Sequence, residues 1–480
     1  MSTGQGGKYE DFELNRRRLF AVGGGFLAAA CATDTSGPHA ADDSGLRSAV
    51  RGRVLLPVDN GFDQARKPWN LTVDQSVRAV VELADADDAS ALIRYAQDAG
   101  RVLAVQPNGH NPSRAVDGTI LVRTNRLNEV RIDPGTRSAR VGAGVTWGQV
   151  QAAASPHGLT GVAGSSPAVG VTGYTLGGGL SWFARRFGWA CDSATAFDIV
   201  DADGRTRRVT ASSEPDLFWA LRGGGGDYAL VTALEFALYP VSGLYGGKML
   251  WPVESAPQVM AAFREITAAA PDELTLWWSL LRMDGAPPMV GIDTTYLGDA
   301  SAGRALLRSF DSIGGRIADT RRLMPTADLG DTVGEPTDPS PIRSHVELLN
   351  GLTDSDVETL LTKSMEPLGA IQIRHLGGAL TRPSDSPPGG VAAPYYISLI
   401  GSQGTPDAAA ANENRIQEYL AALARSRSRR TPLSLLSPVQ TAIDALDPGI
   451  LNRLRAIKSS WDPNGVFRSN FPVLDPVAGR

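Results

Sequence analysis

Cysteine is almost missing from this chain, with two residues in 480, Cys31 and Cys191. Two thiols build neither a disulfide framework nor a cysteine-based metal site, and no metal site is expected. An excess of positive charge is missing too. The 46 Lys and Arg stand against 51 Asp and Glu, a formal net charge of -5, which argues against nucleic acid as the main partner. Beyond the N-terminal segment no run is long and apolar enough to cross a bilayer, so no transmembrane segment is expected. No complete GxGxxG follows a strand, and no phosphate-binding GxxxxGK occurs. What remains, at 42% hydrophobic and 20% charged residues, is globular. The length implies more than one domain or one large composite.

Glycine is plentiful, at 53 residues, and it clusters in the first half. The densest stretch is Gly164 to Gly188, GSSPAVGVTGYTLGGGLSWFARRFG. Its glycines fall at Gly170 and Gly173, then at Gly177, Gly178 and Gly179. Glycine loses the most backbone freedom on folding, so such a run suits backbone passing close to something else. A flat or phosphorylated cofactor and a tight strand–loop crossing both satisfy that. Gly109-His110 lies upstream, just after the apolar run 102–105. Downstream, Asp216 to Arg222 precedes four glycines, Gly223 to Gly226.

The N-terminus reads as a targeting segment. Arg16-Arg17-Arg18 precedes a short apolar run with small residues, an export pattern of the twin-arginine type. The alternative is a disordered basic tail. Secretion or another extracytoplasmic location through the twin-arginine machinery is expected. The run before Cys31 is one residue off lipoprotein spacing, so a lipid anchor there is a weaker reading. Residues 1–40 are taken as signal and leader, and 41–73 as linker and N-terminal segment.

Along the chain, 79–83 reads as a strand, Ser90 to Ala99 as a helix ended by Gly100, and 102–105 as the next strand. Residues 106–112 form a loop, 120–122 and 128–132 are short strands, and a helix starts near Thr146. Short strands mixed with helices indicate an α+β fold rather than repeated βαβ units. In the second half 274–280, 289–296, 370–374 and 395–400 read as strands of one sheet. Helices are expected over 302–313, 354–365 and 406–424, and loops over 321–343 and 383–394. Trp277 and Trp278 point to opposite faces, one into the core and one toward a pocket.

The segment from about Asp74 to Pro240 resembles the FAD-binding domain of the vanillyl-alcohol oxidase / p-cresol methylhydroxylase (PCMH) type, its bacterial berberine-bridge-enzyme-like members above all. Gly109-His110, Gly142 to Gly148, Cys191-Asp192, Asp201 to Gly204, Asp216 to Gly226 and, near the other end, Leu454 to Arg468 carry the resemblance. It implies a PCMH-type FAD-binding domain of two α+β subdomains over 74–244. A substrate domain with an antiparallel sheet backed by helices would span 245–435, and residues 436–480 would return to the FAD domain.

The resemblance also implies roles. A histidine in the position of His110 is joined through a ring nitrogen to the flavin 8α carbon, and imidazole is a competent nucleophile there. Asn108, Gly109 and Asn111 flank it. Gln106, Pro107 and Asn108 replace the arginine and glycine usual in the family, which removes a charged phosphate donor. Ser166 stands where doubly linked members carry a cysteine, so FAD held through His110 alone is expected. Gly170, Gly173, Gly177, Gly178, Gly179, Arg222 and Gly223 are expected at the cofactor. Tyr174 stands where plant members have a histidine near the flavin. It reads equally well as a packed aromatic, and Cys191 reads as packing.

The usual Tyr-x-Asn-Tyr/Phe base motif is absent from Thr431 to Ser437, which leaves Tyr296, His375, Tyr395 and Tyr396 as candidate bases. Of the adjacent pair Tyr395 and Tyr396, only one can reach the pocket. The expectation is an exported FAD-dependent oxidoreductase, an oxidase with molecular oxygen as acceptor. It would take hydride from a small organic substrate (sugar, alcohol, amine or secondary metabolite) to flavin N5. The alternative is a low-turnover flavoprotein that sequesters a small natural product.

Overall fold

The computed structural model describes residue 43 and residues 45–474. The expected signal segment and Cys31 lie outside the described residues.

The first sheet has four strands in the order Arg53–Leu55, Ala79–Glu82, Ile120–Arg123, Leu103–Val105. The last three run parallel, and Arg53–Leu55 pairs antiparallel at the edge. A parallel sheet needs both faces covered. The helix Ala86–Asp98 covers one face with Ala89, Leu92, Ile93 and Ala96, all fully buried. Asp85 caps that helix by accepting from the Asp88 amide at 3.1 Å. Val116 and Phe62 lie in the cluster on the other face.

The second sheet is antiparallel, in the order Val130–Asp133, Ser138–Gly142, Leu230–Ala237, Ala194–Val200, Thr206–Val209. The helices Trp147–Ala154, Pro215–Leu221 and Pro448–Trp461 bury Trp147, Leu217, Leu221 and Leu454 in its core. The C-terminal segment therefore returns to this half of the molecule. Val466 and Phe467 enter the core of the first sheet, and the Leu103 amide donates to Val466 O at 2.7 Å.

The third sheet has eight antiparallel strands. Its path is Ala318–Asp319, Leu244–Pro252, Met289–Leu297, Leu274–Leu281, Ala370–His375, Tyr395–Ser402, Ile342–Leu349, with Arg322–Met324 also pairing to Leu244–Pro252. The helices Ala256–Ala268, Asp354–Thr362 and Pro406–Ala422 back one face. The other face looks toward the two smaller sheets. Trp182 stacks on Trp277 across that seam, with ring centroids 3.6 Å apart.

Two expectations need correction. The stretch 321–343 is not a plain loop, because it holds Arg322–Met324, a 3-10 helix Thr326–Thr332 and the start of Ile342–Leu349. The helix expected over 302–313 is two short ones, Ala300–Leu306 and Arg308–Asp311, broken at Leu307 with φ -101° and ψ 7°.

Candidate functional site

The strand Leu103–Val105 delivers the chain into the loop that ends at His110. Gly109 has φ +75°, and a Cβ there would fall 2.7 Å from Pro68 Cβ, so only glycine fits. The Trp69 amide donates to Asn108 O at 2.7 Å and the Asn70 amide to Gly109 O at 3.1 Å. Asn108 Nδ2 donates to Ala168 O at 2.7 Å, which joins this loop to the glycine-rich stretch. His110 lies flat on Trp69, centroids 4.1 Å apart and planes 12° apart. Both its ring nitrogens are buried and have no protein partner. Burial pushes its pKa down to about 4, so the imidazole is neutral near pH 7. Asn111, beside it, is half-buried.

Gln106, in place of the usual arginine, faces inward. Its Nε2 donates to Gln75 Oε1 at 3.0 Å, and its Oε1 accepts from Asn470 Nδ2 at 2.9 Å. The cation of this region is Arg123, which the sequence reading missed. It is buried behind the loop and donates to Gln106 O at 2.9 Å and Lys67 O at 2.8 Å. Burial lowers its pKa to about 10, which leaves it charged.

The glycines of the long stretch divide into two sets. Gly173 has open space where a Cβ would stand, whereas Gly170 is buried against the His110 loop, with Asn108 at 3.6 Å and Pro107 at 3.8 Å from that position. In the other set, and at Gly223, protein fills the space where a Cβ would stand, which by itself accounts for glycine there. A Cβ on Gly177 would meet Ser434 at 3.0 Å, on Gly178 Pro388 at 3.1 Å, and on Gly223 Pro388 at 2.6 Å. On Gly179, with φ +77°, it would meet the Tyr174 ring at 2.4 Å. Tyr174 also packs edge-on to Trp147 at 5.5 Å. Its hydroxyl is buried without a partner, and burial, with the nearby Tyr396, raises its pKa. Ser166 is buried and accepts weakly from the Ala168 amide at 3.4 Å.

Arg222 turns its side chain to protein. Its Nε donates to Cys191 O at 3.2 Å, and Nη2 pairs with Asp192 at 3.3 Å and Asp385 at 3.0 Å. Those two carboxylates meet its charge. Cys191 is buried beside them, and burial raises its pKa well above the usual thiol value.

Strand register decides the candidate bases. Paired residues share a face and alternate residues change face. Leu276 pairs toward His375, which pairs with Tyr395 and through it with Leu349. Leu276, Leu349, Ile371 and Ile373 all lie in the core against the helices. His375 and Tyr395 therefore face the helices, and so does Tyr296, which packs on that same core. The Tyr395 hydroxyl meets Thr267 Oγ1 of the helix Ala256–Ala268 at 2.8 Å. His375 Nε2 lies 2.9 Å from Arg185 Nη1, and burial, with that cation, lowers its pKa to about 3. All three are removed as bases.

Tyr396 alone of the four faces the smaller sheets. The paired row on that face reads Lys248, Asp293, Trp277, Arg374, Tyr396, Leu348. The Arg374 guanidinium lies 3.5 Å from the Trp277 ring centroid and 5.4 Å from that of Tyr396, and it donates to Gln372 Oε1 at 2.6 Å. Lys248 Nζ stands 2.9 Å from Asp293 Oδ1. Burial raises the pKa of Asp293, and burial partly offset by Arg374 raises that of Tyr396. Glu335 crosses the seam to accept from Ser165 Oγ at 2.7 Å and lies 3.8 Å from Arg374. The sequence named none of Lys248, Gln372, Arg374, Asp293 or Glu335, although period-two alternation with Tyr396 puts Arg374 and Gln372 on one face once the pairing is known. Of the tryptophan pair, Trp278 is in the helix-side core and Trp277 faces the seam. Among the described residues no His, Cys, Asp and Glu cluster could hold a metal ion, and no helix is long and apolar enough to cross a membrane.

This geometry fits a flat cofactor. The partnerless neutral imidazole of His110, the open backbone at Gly173, and the polar sheet face opposite them are its elements. Residues 77–210 match a family described as FAD binding domain. The chain is 25% identical over 447 residues to (R)-6-hydroxynicotine oxidase of Paenarthrobacter nicotinovorans, covering 89% of this chain and 97% of that protein. The crystal structure of 6-hydroxy-D-nicotine oxidase from Arthrobacter nicotinovorans superposes with a TM-score of 0.75 at 24% identity, over 87% of this chain and 97% of that one. Glucooligosaccharide oxidase from Acremonium strictum, which carries a 6-S-cysteinyl, 8α-N1-histidyl FAD, superposes with a TM-score of 0.78 at 20% identity, over 90% and 98%. Residues 77–210 therefore carry an FAD binding domain, and over most of its length the chain is similar to FAD-dependent oxidoreductases of the vanillyl-alcohol oxidase/PCMH type.

Proposed function

We propose that this protein is an exported, berberine-bridge-enzyme-like oxidase of a small organic substrate, with FAD joined through His110 alone and dioxygen as electron acceptor. The observation that carries the reading is the seam itself. The His110 loop, with Gly170 packed on it, and the open backbone at Gly173 form one side, and the Tyr396 face of the eight-stranded sheet forms the other. The FAD, when bound, supplies the redox chemistry, taking the substrate's hydride and passing electrons to oxygen.

The chain's residues do the rest. Neutral His110 offers a nitrogen lone pair at the cofactor's ring edge, and Ser166, having no thiol, offers no second linkage. Asn108, Asn111, Gly109, Gly170 and Gly173 shape the cradle, with Tyr174 presenting its unpartnered hydroxyl. Arg123 supplies positive charge from behind the loop. Tyr396, steadied by Arg374, is the group placed to receive the substrate's hydroxyl or amine proton, directly or through one water. Trp182 and Trp277 keep bulk water from the seam.

The substrate class stays as broad as sugar, alcohol, amine or secondary metabolite. The sequestering alternative draws support from the segment Thr431 to Ser437. The usual tyrosine is absent from it, and Ser434 instead packs on Gly177.

One experiment tests the reading. Purified protein should be yellow, stay yellow after acid precipitation and release hydrogen peroxide under air with a substrate from a screened panel. His110→Ala should lose the covalent colour. Flavin fully released by acid from the parent would refute the linkage, and a reducible flavin with no turnover across the panel would favour the binder.

A further inference from the structure

We infer that Trp69 is the positioning residue for flavin attachment, and that a strap from the substrate domain holds it there. This rests on the reading of His110 as the attachment site. The imidazole has no hydrogen-bond partner on either nitrogen, so no polar contact from the protein fixes its ring. The ring contact that orients it is Trp69, at 4.1 Å and 12°. Trp69 is fixed in turn from the far side of the molecule. Its Nε1 donates to Thr337 O at 2.9 Å, the Ser340 amide donates to Trp69 O at 3.0 Å, and the Leu71 amide donates to Ser340 O at 3.0 Å. Ser165 Oγ donates to Glu335 Oε1 two residues earlier in the same strap. The strap lies between the 3-10 helix Thr326–Thr332 and the strand Ile342–Leu349 of the third sheet.

Joining an imidazole nitrogen to the flavin 8α carbon breaks one C–H bond of that methyl group and the imidazole N–H bond. Two electrons and the two protons pass to the flavin, and dioxygen then takes them up as hydrogen peroxide. The attacking lone pair lies in the ring plane, so a flat stack leaves both nitrogens free while it fixes the direction of attack. An aromatic face does this without competing for the lone pair, as a hydrogen-bond donor would. Attachment geometry is therefore completed only when the strap has docked, which ties cofactor attachment to assembly of the two domains.

The test is the rate of covalent incorporation when apoprotein is mixed with FAD under air, read as flavin fluorescence of the denatured band, alongside total FAD bound. Trp69→Leu should bind FAD but attach it at least about tenfold more slowly, as expected for loss of a near-attack orientation. Trp69→Phe, which keeps an aromatic face but not the Thr337 bond, should restore most of the rate. Should the leucine variant not fold, Trp69→Met supplies the ringless comparison. Parent-rate attachment in a folded ringless variant overturns the inference while leaving His110 in place. Covalent flavin persisting in His110→Ala, or absent from the parent, removes the reading beneath it.

Discussion

Arg185 should be a stability residue, with His375 as one of its acceptors and not a catalytic base. Its guanidinium is buried at the seam and reaches from the glycine-rich stretch into the substrate domain. It donates to Leu274 O at 2.8 Å, Ala270 O at 3.0 Å and Pro271 O at 3.2 Å, to Leu376 O, and meets His375 Nε2 at 2.9 Å. The acceptors at Leu274 and Leu376 are on buried residues, whereas Ala270 and Pro271 are reachable by water. Orphaning a buried acceptor costs about 1–3 kcal/mol, so Arg185→Met should lose ~3–5 kcal/mol from two such carbonyls and the imidazole. At about 2–4 °C per kcal/mol for a unit of this size, the melting temperature should fall by roughly 10 °C.

His375→Ala removes only one acceptor and should lose ~1–2 kcal/mol. Its rate of flavin reduction in the folded protein should stay within about twofold of the parent, against the hundredfold or greater loss expected of a general base. The pH arm has a definite sign. His375 is held neutral by a pKa of about 3 against an ordinary 6.5. The unfolded chain therefore binds more protons below about pH 6.5, and its contribution to stability, full above that pH, is lost as pH falls toward 3. Thermal melts of His375→Ala should be flatter than the parent's across that window. A variant that keeps its stability but loses flavin reduction a hundredfold would refute the strand-face assignment.

For Tyr396, single-turnover flavin reduction should fall at least about 100-fold in Tyr396→Phe. In the parent it should climb with pH without levelling off below about pH 10, because burial holds the phenol above its ordinary pKa; a plateau well below that pH would show that the Tyr396 phenol is not the base. For export, replacing Arg16 and Arg17 by Lys should leave the protein in the cytoplasm, and fractionation showing unchanged export would refute the twin-arginine reading.

What was legible in the sequence follows from what local pattern can encode. The strands around Tyr395 and His375 and the helix Ala86–Asp98 were legible because their apolar spacing is regular. Alternation also showed that Tyr395 and Tyr396 oppose each other. It fixed parity but not phase: which tyrosine faces the seam depends on Thr267 and Phe263 of a helix far away in sequence. The strand Ile342–Leu349 escaped notice because His345 and Glu347 sit where apolar residues are expected. Burial would raise the Glu347 pKa, but the hydrogen bond with His345 and the ion pair with Arg427, eighty positions on, lower it, which makes that burial tolerable. The side-chain partners of Arg222 were not legible, because Asp192 and Asp385 are remote in the chain. Glycine density marked close approach, and at Gly177, Gly178, Gly179 and Gly223 the close neighbour of the Cβ position is protein, while Gly173 faces open space.

Four of the contacts that escaped the sequence share one place. Arg185 on the Ala270, Pro271, Leu274 and Leu376 carbonyls and the His375 ring, Trp182 on Trp277, Ser165 on Glu335, and Trp69 on Thr337 and Ser340 all cross the seam between the FAD-binding half and the eight-stranded sheet. Each side alone leaves its share of the site incomplete. The His110 imidazole lacks its fixed stacking partner without the strap, and the Tyr396 row has nothing to face without the glycine-rich stretch. A cofactor lying in that seam would touch both halves, so its binding would add to the same contacts that hold them together. Ligand that binds only the assembled form stabilises that form by mass action. Chemistry and domain assembly are thus built from one set of residues, and a substitution at the seam is expected to move both.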